Sequence, residues 1–224
     1  MGAHLEGASL NCANLEGADL KSAQFKGAEL VAVQLKRSVL EGAHLEGVTL
    51  YSTEFPPEIR LEEADWGNYV LGEEKSGLFG LAVATYRQLK VWYKNAGISD
   101  IEGQFFYREM EAARKAYKWL SKNWRHRLSL QLSYLVFGHG ERWRRVPLSM
   151  AVILILFAVA YYFGGNLEPL ESLYFSAVSF TALGYGNWAP EPTGWVKGFG
   201  AFEAFIGVFM MALFLVTFVR KWTR

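Results

Sequence analysis

The segment FTALGYGNW, residues Phe180 to Trp188, sets two glycines around a tyrosine between the only two long apolar stretches of the chain. Glycine marks backbone that must take conformations other residues resist. Backbone held at membrane depth must be satisfied by protein or line a wet cavity. A second group with chemical potential is Glu203, the one charge in the apolar stretch from 199 to 219. An intramembrane carboxylate is a functional hypothesis by default. No P-loop, no paired metal-ligand motif and no nucleophile with its base occur in the sequence, so neither an enzyme nor a cofactor is expected. Cys12 is the single cysteine, which excludes an intrachain disulfide and a cysteine-based metal cluster and suits a reducing compartment. Histidine is the residue type that serves as a pH sensor, but His126 and His139 each stand alone in a connecting segment, where a histidine seldom senses anything.

The elements that must position these groups are visible in the distribution of charge. Net charge is +1, so bulk electrostatics do not point to nucleic acid. The first 145 residues carry 19 of the 23 basic and 18 of the 22 acidic side chains, which separates a polar part from a membrane part. Residues 146–163 contain no charge and make about 27 Å of helix, enough to cross a bilayer core. Pro147 falls in the first turn of that span, where a missing N–H matters little. The second span is 199–219. Arg142, Arg144 and Arg145 precede the first, and Arg220, Lys221 and Arg224 follow the second. The positive-inside rule therefore predicts a multi-pass protein of the cell membrane with both termini cytoplasmic. The N-terminus shows no signal-peptide pattern.

The connection between the spans is too apolar for a solvent loop. Pro169 stands at a helix-start position with Glu168 and Glu171 near the positive end of the dipole. About a dozen apolar residues follow, too few to span, which predicts a re-entrant helix over 169–181 that stops just before ALGYGN. A span, a half-helix, G-Y-G and a second span, covering 147–220, resemble the pore module of the potassium-channel superfamily. The resemblance implies a selectivity filter at Thr181, Ala182, Leu183, Gly184, Tyr185, Gly186 and Asn187, its ladder over 182–186. The backbone carbonyls of Ala182, Leu183, Gly184 and Tyr185 would replace the hydration shell of a permeant K+, and Gly184 and Gly186 would let successive carbonyls face one axis. One loop supplies one wall of such a filter, so the resemblance implies a homotetramer. Ala182 stands where that family has threonine, Leu183 where it has valine, and Asn187 where it has aspartate. These departures weaken the inner site and remove four outer charges, and they leave Na+ passage as the alternative.

Supporting roles follow from position in the second span. Glu203, about one turn in and at the depth of the half-helix, is expected to support the filter, its protonated carboxyl hydrogen-bonded to the pore helix or the filter's back side through Ser179 or Thr181, with direct ion binding as the alternative. Gly207 resembles the inner-helix hinge, and Met211 and Leu215 are candidates for pore lining, with packing against the first span as their alternative. The runner-up functions are a non-selective cation channel and a membrane-anchored scaffold.

The first 55 residues repeat every five, with Leu or Phe at eleven successive positions from Leu5 to Phe55 and a small residue two positions before each. A step of five turns an α-helix by about 140° and sends alternate strand residues to opposite faces. The chain must therefore turn a corner every five residues, as in a solenoid. The phrase ANLEGADLKSA resembles the pentapeptide-repeat family. That implies a right-handed quadrilateral β-helix of nearly three coils, about 15 Å tall. It reads as a spacer or oligomerisation platform, open to an unknown protein or ligand partner on the cytoplasmic side. Residues 1–55 hold seven acids against four bases, too weak a charge for mimicry of DNA, so no nucleic-acid partner is expected. Residues 64–77 are expected to cap the stack.

Beyond the cap, Ala82, Tyr86, Leu89, Tyr93 and Ala96 form one helical face, Gly97 a stop, and SDIE a capping box on Ser99. Phe106, Met110, Ala113, Tyr117 and Leu120 make the face of a second helix, an antiparallel hairpin partner, with REMEAARKAYK as its solvated side. Residues 124–137 suit a helix on the membrane surface, in contact with lipid. The expected domains are a capped repeat domain over 1–76, a hairpin with interfacial helix over 77–140, and a pore domain over 141–224.

Overall fold

In the computed structural model, which describes residues 2–117, 124–138, 144–165, 167–184 and 194–222, the five-residue repeat turns a corner at every step. A residue with positive φ recurs at Gly7, Cys12, Gly17, Ser22, Gly27, Ala32, Arg37, Gly42, Gly47 and Ser52. Each corner swings the next leucine back inward. Parallel bridges join His4 to Gln24, Ser9 to Glu29, Asn14 to Gln34 and Asp19 to Val39. Four pentapeptides therefore complete one coil. The amide of Leu5 donates to the carbonyl of Gln24 at 2.8 Å, and Leu10 to Glu29 at 2.8 Å. Phe25, Leu30, Leu40, Leu45 and Leu50 are buried, as are the small residues Ala23, Ala28, Ala43 and Val48. Burying each leucine contributes about 1.5–3 kcal/mol.

The expected right-handed quadrilateral β-helix is overturned. Among the described residues there is no strand and no sheet, only isolated bridges, and the regular elements are all helices. The physical reason lies in the corners. One residue per pentapeptide is bridged before a left-handed turn residue intervenes, so paired residues never become consecutive. A strand needs a run of extended residues whose side chains alternate.

The chain divides into two compact units, residues 1–131 and 132–224. In the first, the bridge spacing lengthens from 20 residues to 21 at Val39–Arg60 and His44–Asp65, spanning Pro56 and Pro57. The stack ends on helix α1 (Gly72–Lys75), followed by α2 (Phe79–Asn95) and α3 (Ser99–Ala116). Ala82, Tyr86, Leu89 and Tyr93 form the buried stripe of α2, and Gly97 follows its C-cap with φ 75°. The expected face of α3 is displaced by one residue. Phe105, not Phe106, is fully buried, edge-on to Trp66 at 5.1 Å and to Tyr69 at 5.6 Å. The run expected to be solvated also turns inward. Glu109 is buried against Arg87 and Lys90, and Glu111 against Arg114. Ser99 is the first helical residue of α3, with Ile98 at the N-cap, rather than the cap itself.

Helix α4 (Trp124–Phe137) contains the boundary between the units and leaves Leu128, Leu132 and Leu135 exposed along one side. The second unit holds α5 (Arg145–Gly165), α6 (Pro169–Thr181) and α7 (Trp195–Trp222). Residues 145–165 and 195–219 are long and apolar enough to cross a membrane. Their outward faces expose Leu148, Ile155, Leu156, Phe205 and Val216, as suits contact with acyl chains.

Candidate functional site

Helix α6 is started by Pro169 in its first turn and by Glu168 at the N-cap, whose amide donates to the Glu171 carboxylate at 3.3 Å. At its other end the backbone leaves the helix sharply. Ala182 takes a left-handed φ of 54°, and its amide donates to the Ser179 carbonyl at 3.0 Å. Leu183 is 82% exposed. Gly184 has φ 87°, a conformation that favours glycine. Of the residues expected in the filter, Thr181, Ala182, Leu183 and Gly184 are thus described. Tyr185, Gly186 and Asn187 lie outside the described residues. The Thr181 hydroxyl turns back on its own helix, donating to the Ala177 carbonyl at 2.7 Å.

Glu203 is fully buried. The Tyr161 hydroxyl donates to its Oε2 at 2.7 Å, and Ser176 Oγ lies 2.5 Å from its Oε1. Ser176 Oγ also reaches the Leu154 carbonyl of α5 at 2.9 Å. One carboxyl thus joins α5, α6 and α7. Its partners are Ser176 and Tyr161, whereas the sequence pointed to Ser179 or Thr181. Ser179 Oγ donates to the Phe175 carbonyl at 2.8 Å. Tyr161 escaped notice in the sequence because it sits among apolar residues. Its signal was a polar tip on an aromatic ring inside a span, which needs a partner when buried.

Helix α7 runs unbroken through Gly207. A Cβ built there would lie 1.8 Å from the Phe180 carbonyl oxygen, so the two helices meet backbone to backbone. Val196, Glu203, Gly207, Met210 and Thr217 form the buried stripe of α7. Phe180 and Met210 share an apolar cluster with Val146, while Phe175 packs with Tyr161 and Val196. Met211 is half-buried and Leu215 is 60% exposed, off that stripe.

A short apolar helix thus packs between two membrane-length helices and ends in exposed backbone at Ala182 to Gly184. Residues 149–224 match the family model described as ion channel, and residues 1–33 match that of pentapeptide repeats, in eight copies. The chain joins a pentapeptide-repeat segment to an ion-channel pore module. No curated protein matches it.

Proposed function

We propose that the chain forms a homotetrameric, potassium-selective channel of the cell membrane, with both termini and the repeat segment in the cytoplasm and no catalytic role. The observation that carries this reading is the end of α6, where left-handed Ala182 and Gly184 turn exposed backbone out of a half-helix. Such backbone can supply carbonyl oxygens to a dehydrated cation. The C-terminus of α6 adds the negative end of its dipole, which favours a cation beyond Thr181. Tyr185 would complete the carbonyl ladder with Ala182, Leu183 and Gly184. Glu203 supports the filter through α6, and Met211 and Leu215 line the inner pore. The repeat segment acts as a spacer or assembly platform, with room for a protein or ligand partner. A second reading, a non-selective cation channel, is favoured by Ala182, whose methyl offers no hydroxyl to the innermost site.

The test is ion flux through purified protein in liposomes with opposing potassium and sodium gradients, Gly184→Ala serving as control. Potassium-selective flux that the control abolishes is expected. Flux of both ions would move the second reading to first place. Flux indifferent to Gly184→Ala would sink the filter.

A further inference from the structure

Helices α6 and α7 meet along matched stripes. Ser176 and Phe180 are four residues apart on one, and Glu203 and Gly207 four apart on the other, a spacing that puts each pair on a single helical face. The first rung is polar: the Glu203 carboxyl bridges Ser176 and Tyr161. The second rung has no side chain on α7, because a Cβ at Gly207 would stand 1.8 Å from the Phe180 carbonyl oxygen. That carbonyl belongs to the last turn of α6, whose carbonyls the helix itself does not bond. At membrane depth such groups need protein partners. A bare Cα can approach this closely and offer a weak C–H donor. Ala182, where the backbone turns left-handed, follows only two residues later.

We propose that Tyr161, Ser176 and Gly207 are positioning residues for ion discrimination. With Glu203 they fix the height and rotation at which α6 presents the carbonyls of Ala182, Leu183 and Gly184, and Gly207 acts as a contact rather than a hinge. This rests on the reading of the chain as a potassium-selective channel. Any side chain at 207 pushes the end of α6 away and with it the oxygens that must fit the ion. A hinge glycine would behave differently, since alanine there alters how often the pore opens and leaves its ion preference alone.

The experiment measures the K+/Na+ permeability ratio from reversal potentials of the full chain in liposomes, alongside hydrogen exchange of the α6 amides in detergent. Gly207→Ala, Tyr161→Phe and Ser176→Ala are each expected to lower the ratio by about tenfold, less than the roughly hundredfold that a full 1 Å misplacement of a site's groups can cost. Glu203→Gln keeps an acceptor for Tyr161 and a polar partner for Ser176, and should restore near-wild-type selectivity where Glu203→Leu does not. Where Gly207→Ala yields no folded protein, the two single-hydroxyl variants decide. An unchanged ratio in conducting Tyr161→Phe and Ser176→Ala overturns the proposal. A wild-type chain that passes no cation, or passes K+ and Na+ alike, sinks the potassium-channel reading instead. Exchange then judges the attachment alone, faster α6 exchange in the variants upholding it and equal exchange overturning it.

Discussion

Replacing Glu73 tests how the repeat stack is closed. Within the stack the amides of Leu5, Leu10, Leu15, Leu20, Leu30 and Leu40 find a carbonyl one coil on, as Leu45 does with Asp65 at 2.6 Å. Leu50 instead donates to Glu73 Oε1 at 2.7 Å, and Thr85 Oγ1 reaches the same oxygen at 3.3 Å. The carboxyl thus stands in for a carbonyl of the coil that does not follow. Glu73 is 0% exposed and its second oxygen makes no hydrogen bond. Burial therefore pushes its carboxyl above the ordinary carboxylate range, against the pull of the amides it accepts from. A carboxyl raised on folding contributes stability below its ordinary range, and that contribution fades as pH rises through the raised value. Glu73→Gln keeps an oxygen for the Leu50 amide and ends the titration. It should match wild type in mild acid and exceed it in mild alkali. Glu73→Leu strands a buried amide and should cost about 1–3 kcal/mol at either pH. Pulse proteolysis of the full chain in detergent across a urea series reads these differences. Leu as stable as Gln, or wild type gaining on Gln as pH rises, would refute the reasoning.

The neighbouring Glu74 carries the opposite charge logic. Burial alone would raise its carboxyl, but Lys115 at 2.8 Å, Tyr86 and Arg108 at 2.6 Å hold it below the ordinary range. Its stabilisation is present at neutral pH and lost as pH falls through the lowered value; Glu74→Ala should cost about 3–5 kcal/mol at neutral pH by urea midpoint, and less in acid. Phe105→Ala removes the ring at the centre of Trp66, Tyr69, Tyr86 and Tyr93 and should cost about 3–5 kcal/mol in the same assay. Ala182→Thr places a β-branched residue at φ 54° and should lower the thermal stability of the purified chain by about 1–3 kcal/mol, where Ala182→Gly does not.

The apolar helices are the features most legible in the residues, because length and lack of charge need no knowledge of neighbours. The five-residue period is equally plain, and it dictates the recurring corners. It does not reveal that those corners come too often for paired residues to run on into a strand. The buried face of α3 lies one position from the one its apolar spacing predicts because both its sides carry something buried: Phe105 enters the aromatic cluster while Glu109 and Glu111 find cations. Glu203 stood out as a lone charge, but its partners could not be read off. Which hydroxyl meets it depends on the rotation and height of α5 and α6 against α7. That register is set by tertiary packing, including a glycine whose importance shows only in the carbonyl beside it.

The bridge spacing of the repeat stack makes it a counter in units of twenty residues. His4, Gln24 and His44 stand in one column, and Asp65 joins the same column although the turn after Ser52 comes one residue late, at 57–58. Deleting twenty residues from the middle therefore removes one storey and leaves the lid above it facing the same way. Deleting five removes a smaller piece yet turns the lid by one repeat around the axis. For this segment the orientation of whatever sits on top depends on the remainder after division by twenty, and its height on the quotient.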